Sequence, residues 1–137
     1  MKIRFIINPI SGSGKQRGIE SLFEEYTNFE YDTVFTITSG DATRLSQIAI
    51  DEKIDVVIAV GGDGTVNECA KAIIGSKTAL GVIPCGSGNG FAFHFGMKKD
   101  ITKAILQLNS CKISVIDSGT ANNIPFVNVS GIGFDAH

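Results

Sequence analysis

Short unbroken apolar runs alternate along this chain with stretches whose apolar positions recur every three or four residues. Ile3–Ile7 is the first run, β-branched and aromatic, closed by Asn8-Pro9; it reads as a strand ending in a turn. Ile19, Leu22, Phe23 and Tyr26 follow at i, i+3, i+4 and i+7, one face of a helix. Tyr31–Ile37 reads as a second strand, and Gly40-Asp41 opens a helix with Ala42, Leu45, Ile48 and Ala49 inward. Ile54–Val60, apolar except for Asp55, suits a central parallel strand covered on both faces. Val66, Cys69, Ala70, Ile73 and Ile74 mark a third helix, Thr78–Pro84 a fourth strand, and Phe91–Phe95 a short helical segment. Ile101, Ala104, Ile105 and Leu108 mark a last helix, with Asp100 as its N-cap. The order β-α-β-α-β-α-β-α-α predicts an α/β fold, a layered parallel sheet with crossover helices.

From Cys111 the pattern changes. Lys112–Asp117 and Ile124–Ser130 read as strands joined by a turn at Ser118–Asn123. The expected organisation is an α/β domain over residues 1–110 and the first strands of a truncated all-β domain over 111–137, its remainder absent. An exposed sheet at Cys111–His137 would invite pairing with a second copy.

Composition narrows the function classes. Of 137 residues 43% are hydrophobic, which excludes a disordered chain. No apolar run approaches the ~18 residues of a transmembrane helix, and the N-terminal run is too short for a signal peptide. A net charge of −2 argues against a nucleic-acid binder that works by bulk electrostatics. The three cysteines (Cys69, Cys85, Cys111) form no CxxC pair and read as reduced, buried thiols of a cytoplasmic protein.

Glycine supplies the chemistry. There are 16, ~12% against a usual ~7%, and three clusters each follow a predicted strand: Gly12 and Gly14; Gly61, Gly62 and Gly64; Gly86, Gly88 and Gly90. Ligands of open α/β sheets bind at the carboxyl ends of the strands, and helix N-termini there attract anions. Three such loops on one edge point to a phosphate-rich ligand. The first is not a Walker A loop, because Pro9 and Gln16 stand where glycine and Ser/Thr are required; neither Gly12 nor Gly86 opens a dinucleotide fingerprint. In Gly61-Gly62-Asp63-Gly64-Thr65-Val66-Asn67-Glu68, Thr65 is a candidate helix cap, with Asn67 and Glu68 in the first turn. Asp63 and Glu68 could hold a hydrated Mg²⁺, or Asp63 could accept a proton from an attacking hydroxyl.

Asn8-Pro9-Ile10-Ser11-Gly12, Gly61–Glu68 and Gly86-Ser87-Gly88-Asn89-Gly90, in that order, resemble the three motifs of the diacylglycerol kinase catalytic-domain family, which includes bacterial soluble lipid kinases and sphingosine kinases. The resemblance implies transfer of the γ-phosphate of ATP to a lipid hydroxyl with Mg²⁺, on a nucleotide-binding α/β domain completed by a β-sandwich-like domain. The lipid would be met transiently at the membrane surface. Asn8, Pro9, Ile10, Ser11 and Gly12 would line the nucleotide. Thr36, in a Thr-x-x-x-Gly-x-Ala pattern, would contact it. Gly62, Asp63, Gly64, Thr65, Val66, Asn67 and Glu68 would surround the phosphates and metal, with Asp63 catalytic and holding Mg²⁺ directly or through water. Ser87 would reach the nucleotide from the third loop, and Asp117 and Asp135 fall near the implied cleft. Gly90 stands where many bacterial diacylglycerol kinases carry Asp; sphingosine kinases have a small residue there, so the lipid is diacylglycerol- or sphingosine-type.

Two rival readings stand beside this one. NAD kinases also place Gly-Gly-Asp-Gly after a strand, although Asn67-Glu68 and the Gly86–Asn89 loop favour the lipid kinases. The third reading is a non-catalytic nucleotide-binding module.

Overall fold

A computed structural model describes residues 1–12, 14, 16–121 and 123–127. Strands β1 (Ile3–Ile7), β2 (Tyr31–Phe35), β3 (Val56–Gly61) and β4 (Ala79–Pro84) form one sheet in the order β2-β1-β3-β4, parallel throughout. The helices are α1 (Ile19–Tyr26), α2 (Asp41–Asp51), α3 (Asp63–Ile73), α4 (Gly90–His94) and α5 (Ile101–Leu108). The Asp100 carboxylate caps α5 as expected, accepting from Lys103 N–H at 2.9 Å. β2 ends two residues short of the expected Ile37. Thr36 N–H still reaches Ile7 O, but Ile37 N–H turns away to the Asp41 carboxylate at 2.8 Å.

Alternate residues of the central strands feed two apolar layers, as the pleat requires. Ile6, Val57, Ala59 and Val82 meet Ala42 and Ala49 of α2, Val66, Cys69 and Ile73 of α3, and Phe91 of α4. Phe5, Ile7, Ile58, Val60 and Ile83 meet Ile19 and Phe23 of α1 and Ala104 and Ile105 of α5. Phe5 stacks on Phe23 with ring centroids 3.9 Å apart. Burial of each such ring stabilises by ~1.5–3 kcal/mol.

The helix after β1 therefore lies on one face and the helix after β3 on the other. Between these two neighbouring strands the connections diverge, and a crevice opens at their carboxyl ends.

At the opposite end of the sheet Arg4 ties three elements together. Its guanidinium donates two parallel bonds to the Asp32 carboxylate, both 2.7 Å, and a third to Glu52 at 2.5 Å. These bonds, to Asp32 above all, raise the already high guanidinium pKa.

Some expectations fail on packing grounds. Ile74, expected inward, is the residue after α3; the chain leaves the helix there and turns at Gly75, leaving Ile74 39% exposed. Cys69 and Cys85 are buried, but Cys111 is exposed, so the expectation of three buried thiols fails there. Burial pushes the Cys69 thiol up to about 11. Of the phenylalanines in the short helical segment, Phe91 is buried while Phe93 and Phe95 are exposed.

Residues 111–118 form no strand, and Ile113, Val115 and Ile116 are exposed. The antiparallel pair is β5 (Gly119–Ala121) with β6 (Ile124–Phe126), so residues 119–121 of the expected turn at 118–123 are paired strand. The β6 strand lies beside α3, and Val127 packs on the layer of α2 and α3. The rest of the expected second strand, and Asp135, lie outside the described residues.

Candidate active site

Three strands extend their ladders one residue past their ends, which sets the loops level. Asn8 N–H donates to Val60 O, Thr36 N–H to Ile7 O, and Cys85 N–H to Gly61 O, all at 2.9 Å. Asn8 is the hub of the first loop. Its Nδ2 donates to Thr65 Oγ at 3.2 Å, and its Oδ1 accepts from Ile10 N–H at 3.1 Å. Its backbone carbonyl accepts from Nε2 of the buried Gln16.

The glycines first of all let the loops touch one another. A Cβ on Gly12 would lie 2.3 Å from Cys85 O, one on Gly86 2.4 Å from Gly62 Cα, and one on Gly61 2.5 Å from Thr65 Oγ. All three distances are below any real Cβ contact. The third loop is closed by Asn89, at φ 57°, whose side chain accepts from Gly86 N–H at 2.8 Å and donates to Gly86 O at 2.7 Å.

Two carboxylates fill helix ends at this edge. Glu68 accepts from Gly40 N–H and Ala42 N–H at the start of α2, at 3.1 and 3.2 Å, while its backbone carbonyl takes the Thr43 hydroxyl at 2.8 Å. Asp63 accepts from Gly90 N–H and Phe91 N–H at the start of α4, at 3.1 and 3.2 Å. Helix α3 itself begins on Gly62, which brings no side chain to cap the first turn. An anion arriving between the loops meets that end of a helix.

A cleft of about 250 Å³ opens beside it, lined by Asn8, Pro9, Ile10, Thr36, Ile37, Thr38, Ser39, Ala42, Gly64, Thr65 and Glu68. A larger apolar cleft of about 520 Å³ follows the β4 edge past Leu80, Phe95 and Val115 and includes no residue of the three glycine loops.

Seven of the expected site residues thus share the smaller cleft: Asn8, Pro9, Ile10, Thr36, Gly64, Thr65 and Glu68. Ser11, Gly12, Gly62 and Asp63 belong to the junction of the loops. Ser87 is exposed on the third loop, and Asn67 is half-buried with an unpaired, buried Oδ1. Asp117 is exposed in the segment after α5.

Three expectations are corrected. Val66 cannot line a ligand, because it is 2% exposed and faces the core. Thr65 is not the cap of α3; that place is Gly62's, and Thr65 is the third helical residue. Asn67 and Glu68 consequently fall in the second turn. Glu68 and Asp63 alike turn both carboxylate oxygens to a helix start, Glu68 to α2 and Asp63 to α4; among the described residues no three His, Cys, Asp or Glu side chains gather as a metal cluster.

The sequence reading missed Gln16, Asn89 and Asp41. Asn89 carried a signal, since Asn tolerates the left-handed backbone that closes a turn.

A family model described as the diacylglycerol kinase catalytic domain matches residues 2–121. A diacylglycerol kinase of Bacillus subtilis (strain 168) is 36% identical over 138 residues, covering 96% of this chain and 46% of that protein. One from Staphylococcus aureus (strain Newman) is 34% identical over 137 residues, covering 96% and 44%. The crystal structure of a diacylglycerol kinase from Bacillus anthracis superposes with a TM-score of 0.77 at 28% identity, over 91% of this chain and 47% of that one. The chain spans under half the length of these relatives.

Proposed function

Because this chain belongs to the family of diacylglycerol kinase catalytic domains, we propose that it is the nucleotide-binding part of a lipid kinase that transfers the γ-phosphate of ATP to a lipid hydroxyl. The observation that carries this reading is the distribution of charge over the helix ends. Glu68 and Asp63 turn their carboxylates to the starts of α2 and α4, while α3, whose N-cap is Gly62 and whose first residue Asp63 faces α4, begins where three loops meet. A polyphosphate is directed to that end, with its nucleoside in the cleft of Asn8, Thr36, Gly64 and Thr65.

The donor set fits Mg²⁺ carried in by the nucleotide, since this ion takes one or two carboxylates and completes its shell with water and substrate phosphates. Asp63 would supply the carboxylate for it, sharing its oxygens with the start of α4. When bound, Mg²⁺ would neutralise charge on the phosphates. Phosphoryl transfer is chiefly positioning and electrostatics. Gly62 and Ser11 let the phosphates approach the backbone, Asp63 holds negative charge at the point of transfer, and Ser87 meets the nucleotide from the third loop.

The acceptor is a lipid alcohol of the diacylglycerol or sphingosine type, reached at a membrane surface; the names of the relatives support the first. The NAD kinase reading has no such support. Residues 1–110 are the α/β unit of this scheme and residues 111–137 lead into a second, β-rich unit. Holding ATP and a lipid alcohol in line needs two walls, and the described residues build one around the glycine loops, so these 137 residues by themselves are expected to transfer no phosphate.

The test is transfer of labelled phosphate from ATP into diacylglycerol or sphingosine vesicles, using protein from the full reading frame and the 137-residue chain side by side. Transfer by the former and none by the latter is expected. Absence of transfer to any lipid alcohol by a folded full-frame protein overturns the kinase reading, and equal rates overturn the two-part scheme.

A further inference from the structure

Resting on the nucleotide reading above, we infer that Ile10 and Ile37 form an apolar jaw that grips the faces of the nucleobase at the mouth of the small cleft. These are two of the most exposed large apolar side chains of the protein, 83% and 88% accessible, and both line this cleft. They stand on the loops after β1 and β2, which are neighbours in the sheet. Side chains so exposed gain nothing from folding, because they are as wet as in the unfolded chain.

Both are nevertheless held on fixed backbone. The Ile10 N–H donates to Asn8 Oδ1 at 3.1 Å. The Ile37 N–H donates to Asp41 Oδ2 at 2.8 Å, and the next N–H, of Thr38, reaches the same oxygen at 3.2 Å. An apolar side chain on a pre-organised turn loses little entropy when a ligand covers it.

The chemistry of the cleft is graded. Its buried and half-buried lining is largely polar, with Asn8, Thr36, Thr65 and Glu68; among its exposed residues, Pro9, Ile10, Ile37, Thr38, Ser39 and Gly64, the two isoleucines are the large apolar side chains. At about 250 Å³ it is smaller than the ~300–1,000 Å³ of sites for drug-sized ligands. A whole nucleoside triphosphate therefore overflows it. A planar heterocycle between the isoleucines, with the sugar against the polar lining, lets the phosphates run out toward Gly62. An aliphatic jaw recognises the faces of a base and not its edge, so it adds affinity for any purine over the polyphosphate alone.

The experiment compares calorimetric binding of ATP and of inorganic triphosphate, both with Mg²⁺, to the wild-type chain, Ile10→Ser and Ile37→Ser. Neither isoleucine is packed in the core, so the variants should fold, which circular dichroism verifies. Each variant is expected to bind ATP roughly tenfold more weakly, about 1.4 kcal/mol, and triphosphate as the wild type does. ATP binding unchanged in both variants overturns the jaw and leaves the nucleotide site standing. Equal weakening of ATP and triphosphate also overturns it, because the isoleucines would then shape the loops and not hold a base. A folded wild-type chain that binds neither ligand overturns the nucleotide reading itself.

Discussion

Gly62 and Gly86 face one another so closely that a Cβ built on Gly86 would lie 2.4 Å from Gly62 Cα. The second and third glycine loops thereby meet backbone to backbone, and the same Cβ would also lie 2.9 Å from Asn89 Oδ1. Gly86→Ala must move a loop, at an expected cost of about 1–3 kcal/mol. Gly64, next in the same motif but with nothing within 4 Å of its would-be Cβ, is the control. Gly64→Ala lies inside α3 and is expected to hold or raise the melting temperature. Calorimetric melting of both variants checks the contrast.

Asp63 holds the start of α4, and in the function proposed above it also serves the phosphates. Asp63→Asn keeps one acceptor oxygen and removes the charge. In the full-frame protein it should lower phosphate transfer more than tenfold, over ~1.4 kcal/mol of barrier, with the fold intact. Asp63→Ala also strips the acceptor from Gly90 and Phe91 N–H, and is expected to lose a further ~1–2 kcal/mol of stability. A variant Asp63→Asn that retains more than a tenth of the wild-type rate refutes the catalytic role.

Glu68 is expected to behave as a clamp on α2. Glu68→Ala leaves Gly40 and Ala42 N–H without their acceptor, at a cost of ~1–3 kcal/mol. Hydrogen exchange should accelerate at residues 40–43 and stay unchanged in α5. Uniform acceleration throughout the chain would mean that Glu68 supports the whole fold and not this helix start.

Asp41 sets an acid limit. The N–H groups of Ile37 first, then Thr38, hold its carboxyl below the usual range, with Arg44 adding to the effect. A depressed folded pKa contributes stability that is complete above the unfolded value, ~3.9, and is lost as pH falls through the folded one. Asp41→Asn should therefore lower stability near neutrality and converge on the wild type at the acid end, flattening the curve below about pH 4. Urea melts at pH 3 and pH 7 separate the two outcomes.

Legibility followed sequence distance. The Asp100 cap and the strand β1 were readable because their causes lie within four residues. The α/β alternation and the common edge of the loops followed from apolar periodicity. What could not be read is carried by partners far apart in the chain. Asn8 meets Thr65 57 residues away and Glu68 meets Gly40 28 away, so motif residues expected to touch a ligand proved to touch each other. Val66 was misplaced because a motif is contiguous and a helix face is not: three residues past Asp63, it points into the core.

The Arg4 fork has a consequence of another kind. It fastens β1, β2 and the end of α2 at the amino end of the strands, as far from the glycine loops as the sheet allows. Robustness and chemistry thus occupy opposite poles of one sheet. Substitutions around Arg4, Asp32 and Glu52 can tune the protein to a warmer or colder setting while the edge of the glycine loops goes untouched.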